Sequence, residues 1–107
     1  MPFNAYLGRL GRRNVKPKDR RSTKTLLVAL AMHGISLRPA ALWPRENEAS
    51  ERVYGNGGGW SVSIYTLKNG RYLAETRRTD RPYIRLPQRK TFREALVEAL
   101  HVIENNE

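Results

Sequence analysis

The sequence contains no cysteine, which rules out disulfides and thiolate metal ligands and suits a reducing compartment. Histidine occurs only as His33 and His101. The first falls near a helix end and the second on a helix that buries its neighbours, so neither is placed as a general base. No grouping of Asp, Glu and His has metal-site spacing, and no catalytic residue, metal or cofactor is expected. Long hydrophobic runs are missing too. The longest mostly apolar stretch, residues 26–32, falls far short of the roughly 20 residues a spanning helix needs, so no membrane partner is expected. The glycine run at 55–59 lacks the lysine of a phosphate-binding P-loop and does not lead into a helix, and it reads as a flexible linker.

Acids are also scarce. Twenty Lys and Arg stand against ten Asp and Glu, a net charge of +10 over 107 residues. The excess is concentrated in two blocks. Residues 1–24 hold eight cations against the single acid Asp19, and residues 68–93 hold nine against Glu75 and Asp80. Residues 25–67 are balanced, and 94–107 carry four glutamates. Two basic blocks around a neutral centre match an extended polyanion, because each phosphate neutralised releases condensed counterions.

The length suits one domain with a modest core. Residues 1–21 mix Gly8, Gly11, Pro2 and Pro17 with many cations and read as a flexible basic arm preceding a single domain over 22–107. The arm has no apolar segment of the secretory type, so a cytoplasmic location is expected. Ser22 or Thr23 caps a helix to about His33, with Leu26, Leu27, Leu30 and Ala31 on one face and Gly34 at its end. Ser36 is placed to cap a short second helix over 37–43, with Pro39 in its first turn. Trp60, Val62 and Ile64 alternate with Ser61, Ser63 and Tyr65 as a half-buried strand. Asn69-Gly70 marks a hairpin turn. Keeping the apolar set together selects a three-residue loop that pairs Ile64 with Ala74 and Val62 with Thr76. The other face then presents Ser61, Ser63, Tyr65, Arg71, Leu73, Glu75 and Arg77. Residues 83–86, bracketed by Pro82 and Pro87, suit a short edge strand. Thr91-Phe92-Arg93-Glu94 is a capping box that opens a helix to about Glu104. The expected fold is α+β: a three-stranded antiparallel sheet packed with an N-terminal and a C-terminal helix, in the order α–β–β–β–α.

Arg89, Lys90 and Arg93 surround the start of the last helix, where cations oppose the macrodipole. A phosphate held there by amide protons and side chains together would compensate. This order of elements, with those three cations opening the final helix, resembles double-stranded RNA-binding domains. Its β–β–β–α half is similar to three-stranded DNA-binding domains of plant transcription factors and of integrase arms. The chain departs from both in the glycine-rich connection 44–59, and it lacks the histidine-bearing hairpin loop of the RNA-binding domains.

The expected function is therefore non-enzymatic nucleic-acid binding by a small regulator or accessory factor of a phage or plasmid. Duplex DNA is favoured as partner and RNA is the alternative. Phosphate contacts are expected from Arg9, Arg12, Arg13, Lys16, Lys18, Arg20, Arg21, Arg89, Lys90 and Arg93, with Tyr65, Arg71 and Arg77 approaching a groove. Three other readings compete: an inhibitor or interaction protein whose basic face binds an acidic protein, a ribosome-associated protein, and an RNase toxin relying on His33 or His101. The sequence leaves the oligomeric state open.

Overall fold

Ser22 opens the first regular element of the computed structural model, which describes residues 16–42 and 48–106. Its hydroxyl accepts the amide proton of Thr25 at 3.1 Å and caps helix α1, Thr23–Met32, a bond that satisfies one of the orphan donors of the first turn. Gly34, with φ +86°, ends the helix in the left-handed region. Leu26 and Leu30 point inward with no exposed surface, whereas Leu27, Val28 and Met32 are exposed.

The chain then enters a sheet instead of a second helix. Strand β1, Arg38–Pro39, pairs with β2, Ala49–Gly57, which pairs with β3, Trp60–Leu67. β3 pairs with β4, Tyr72–Arg78, and β4 with β5, Ile84–Arg85. The sheet is antiparallel throughout and its order is β1-β2-β3-β4-β5. The fold is thus α+β, with five strands and two helices among the described residues, two strands more than the three expected. Both extra strands lie in the segment whose sequence reads as helix and linker.

The reasons are local. Pro39 sits on an edge strand, where its missing amide proton breaks no ladder. In β2 the glycines serve close approach. A Cβ on Gly55 would lie 2.5 Å from the Ser36 carbonyl oxygen, and one on Gly57 only 1.9 Å from that of Gly34. Gly58 and Gly59, both at positive φ, form a two-residue turn of the type that matches strand twist.

The β3–β4 hairpin has the three-residue loop, with Gly70 at φ +85°, Ile64 opposite Ala74 and Val62 opposite Thr76. The edge strand at 84–85 lies within the expected span. Helix α2, Phe92–Asn105, is capped by Thr91, whose hydroxyl accepts from the Glu94 amide at 3.1 Å.

Helix α2 packs on β3 and β4, and α1 packs on α2. One core results, joining Leu26, Leu30 and Ile35 to Val62, Ile64 and Ala74 of the sheet and to Leu96, Leu100 and Ile103 of α2. Each fully buried Leu or Ile contributes about 1.5–3 kcal/mol. A smaller cluster of Ala49, Tyr65, Leu67 and Leu73 occupies the opposite sheet face, with Leu42 against it. Among the described residues no helix is long and apolar enough to cross a membrane.

Gly57→Ala should destabilise the protein by more than about 3 kcal/mol, because backbone must move to admit the methyl group. Gly70→Ala, with open space around it, should cost only the left-handed penalty of about 1–2 kcal/mol. Urea denaturation of the two variants measures the difference.

Candidate nucleic-acid interface

Of the expected phosphate ligands, Arg9, Arg12 and Arg13 lie outside the described residues. The next part of the expected arm, residues 16–21, is placed against α2. Its centre is Asp19, whose carboxylate side chain is 6% exposed. That group accepts the Arg21 amide, the Arg21 guanidinium at 2.7 Å and His101 Nε2 at 2.8 Å. Arg21 also reaches Glu104 at 3.1 Å. Arg93 donates to the main-chain carbonyls of Arg21, at 2.8 Å, and Asp19. Lys16 closes the attachment on Glu94 at 2.6 Å.

The guanidinium of Arg21, more than any other contact, holds the Asp19 carboxyl well below the usual carboxylate range, and burial opposes it. Arg21 is in turn bound more firmly to its proton, chiefly by Asp19. Lys16 lowers Glu94 in the same way.

Three cations were expected to meet at the start of α2, and the structure turns two of them inward. Arg89 is 6% exposed, donates to Glu98 at 3.3 Å and exchanges main-chain hydrogen bonds with Tyr72 at 2.8 Å. Arg93 holds the N-terminal segment. Lys90 alone is exposed. Tyr65 is also not on an open face: it is 4% exposed, packed with Leu67 and Leu73 below the Arg52 guanidinium, which lies 5.9 Å from its ring. Arg71 is half-buried beside the Gln88 carbonyl at 3.5 Å.

The sheet face away from the helices is therefore divided. Toward the Asn69-Gly70 turn it is closed over Tyr65 and Leu73. Toward the Gly58-Gly59 turn it is open, and the pairing fixes which side chains share it. Asn56, Ser61 and Arg77 form one row, and Arg38, Tyr54, Ser63, Glu75 and Arg85 the next. Extending the β4–β5 register by one residue sets Tyr83 opposite Arg77, whose guanidinium lies 5.3 Å from the Tyr83 ring centroid. Arg77 is also held by its Nε donating to the Arg81 carbonyl at 2.9 Å. Arg52 stacks 4.7 Å from the Tyr54 ring and donates to Ser63 and the Ala41 carbonyl.

Arg38, Arg77, Arg78 and Arg81 are exposed and make no ion pair among the described residues. Arg85 spends its charge on Glu75 at 2.6 Å. Arg78 turns to the other face, against the Trp60 ring at 5.4 Å and the Asn106 carbonyl. Exposed Lys18, Arg20 and Lys24 form a separate basic stretch before and on α1, and Lys68 and Lys90 flank the β3–β4 turn.

Of the site side chains named from the sequence, the structure brings only Arg77 to this open half. It adds Arg38, Tyr54 and Tyr83, and exposed Arg81 lies in the adjoining β4–β5 loop. The alternation of Arg52, Tyr54 and Asn56 carried the signal for β2, but the neighbouring glycines had made the segment read as a linker. No group of three potential metal ligands occurs among the described residues. Comparison with family models, curated proteins and solved structures finds no match for this chain.

Two variants test the anchoring roles. Arg89→Ala leaves Glu98 buried without this partner and should cost about 3–5 kcal/mol in folding stability, read by thermal unfolding. Asp19→Asn should cost about 1–3 kcal/mol and release residues 16–21 to proteolysis. Because the folded state lowers the Asp19 pKa, this anchoring is complete above the ordinary carboxylate value and fades as pH falls below it. The gap between wild type and Asp19→Asn should therefore be full above pH ~5 and shrink below pH ~4.

Proposed function

We propose that this protein binds nucleic acid without catalysis, by neutralising phosphates, as a small regulator or accessory factor of the kind phages and plasmids encode. One observation carries the reading. The acids of the described residues that form ion pairs are taken up by Lys16, Arg21, Arg85, Arg89 and His101, while Arg38, Arg77, Arg81, Lys18, Arg20 and Lys90 remain exposed without an acidic partner among those residues. Such charge lowers its free energy by meeting a polyanion and releasing its counterions. The open half of the sheet supplies Arg38 and Arg77, and the adjoining β4–β5 loop supplies Arg81. Lys18, Arg20 and Lys24 add a second exposed positive stretch, and the sequence of residues 1–15 carries three further arginines. Arg89 and Arg93 contribute indirectly, by holding α2 and the N-terminal segment in place.

Binding of fluorescent duplex DNA, duplex RNA and single strands, titrated between 50 and 200 mM salt, tests the proposal. With six to ten phosphates contacted, affinity should fall about 10³–10⁵-fold across that range. Arg38→Ala with Arg81→Ala should weaken binding to every strand type and reduce the salt slope by about two contacts. A deletion of residues 1–15 that keeps measurable binding assigns a share to the folded domain. No binding at 50 mM salt to any of these ligands would overturn the reading and leave an acidic protein as the partner to seek.

A further inference from the structure

We infer that the open half of the sheet is a base-stacking platform for single-stranded nucleic acid, with Tyr83 as its main stacking ring. The inference rests on the nucleic-acid reading and adds which form of the polymer this surface takes.

Tyr83 is 51% exposed, the only aromatic side chain among the described residues with so large a share of its surface in water. Nothing in the packing requires an aromatic ring there. The ring is nonetheless held in place from several sides. Pro82 restricts the backbone before it, and β5 begins directly after it, at Ile84. Arg77 covers part of the ring, and its Nε is fixed on the Arg81 carbonyl. The loop carrying Arg81 is itself tied to the β2–β3 turn, since the Thr79 amide and hydroxyl both donate to the Gly59 carbonyl, at 2.9 and 3.1 Å. A pre-positioned ring loses little entropy when a second flat surface stacks on it.

The same face carries a second tyrosine backed by an arginine. Tyr54 is half-buried, its hydroxyl is within 3.4 Å of Ser61 Oγ, and Arg52 stacks against it. Three strand spacings separate β2 from β5, about 15 Å across the sheet. Ser61 of β3 and Arg77 of β4 lie on the strands between them, in the row of Tyr83, and Arg38 borders a shallow cleft beside Tyr54.

Rings spaced along a sheet and interleaved with cations fit a strand whose bases are free to leave their own stack. A duplex keeps its base faces covered and offers this surface only phosphates. The stacking rings thus distinguish between forms of nucleic acid that the charge treats alike.

The test compares the full chain with Tyr83→Leu and Tyr83→Trp, using a fluorescent single strand and a duplex of the same sequence at fixed salt. Because Tyr83 is half in water, thermal unfolding should show all three proteins folded alike. Tyr83→Leu should weaken single-strand binding about 5- to 150-fold and leave duplex binding within twofold, and Tyr83→Trp should restore or exceed the original affinity. Equal loss on both ligands, or no loss with Tyr83→Leu while Arg38→Ala with Arg81→Ala still weakens binding, would overturn the stacking platform and leave the nucleic-acid reading standing. No binding by the unaltered protein to either ligand would overturn both.

Discussion

Strand β3 is buried on both of its faces, and the rest of the structure is arranged around that constraint. Val62 and Ile64 need apolar cover on one side, and Tyr65 and Leu67 need it on the other. Helix α2 supplies the first cover, with α1 stacked behind it. Leu42, Ala49, Leu73 and the stem of Arg52 supply the second. A two-sided central strand requires hydrogen-bonded neighbours on both edges, and β2 and β4 provide them along its whole length. The edges that remain are closed by strands of two residues each, which limits the unpaired backbone offered to other chains.

The second cover is incomplete, and this sets where a ligand can approach. Charge and aromatic surface are not distributed by composition alone, since most of the cations near the start of α2 are consumed in holding the structure together. Arg21 and Arg93 fasten residues 16–21 to α2 through Asp19, and Arg89 lies beneath the surface on Glu98. Of the cations left over, Arg38 and Arg77 lie where the sheet is open, beside Tyr54 and Tyr83, while Lys18, Arg20 and Lys24 form a second exposed group before and on α1. A basic protein can thus commit many arginines to internal acids and main-chain carbonyls and still keep others exposed, because each attachment consumes only the cation that makes it.

The glycines show how one residue type carries two meanings. In sequence, Gly55-Asn56-Gly57-Gly58-Gly59 looks like a linker, since glycine there weakens every local preference. In three dimensions Gly55 and Gly57 are strand residues whose missing side chains admit the carbonyls of Ser36 and Gly34, and only Gly58 and Gly59 make the turn. Close approach between distant segments leaves no trace in a sequence, so the glycines mask the alternation of Arg52, Tyr54 and Asn56 in β2, and β1 has too few residues to show a pattern.

What the sequence determined by itself is what short-range physics controls. Ser22 and Thr91 cap helices because their hydroxyls meet amides three residues on, and the β3–β4 register follows from side-chain alternation across one glycine-containing turn. The α+β class follows from those elements. Only the tertiary structure decided that the sheet has five strands, that Tyr65, Arg89 and Arg93 face inward, and that Tyr83 stands beside Arg77 on an open surface. Exposure is a property of what other segments cover, and covering is non-local: Glu98 claims Arg89, the carbonyls of Asp19 and Arg21 claim Arg93, and Arg52 closes over Tyr65, each from a part of the chain that the local pattern does not see.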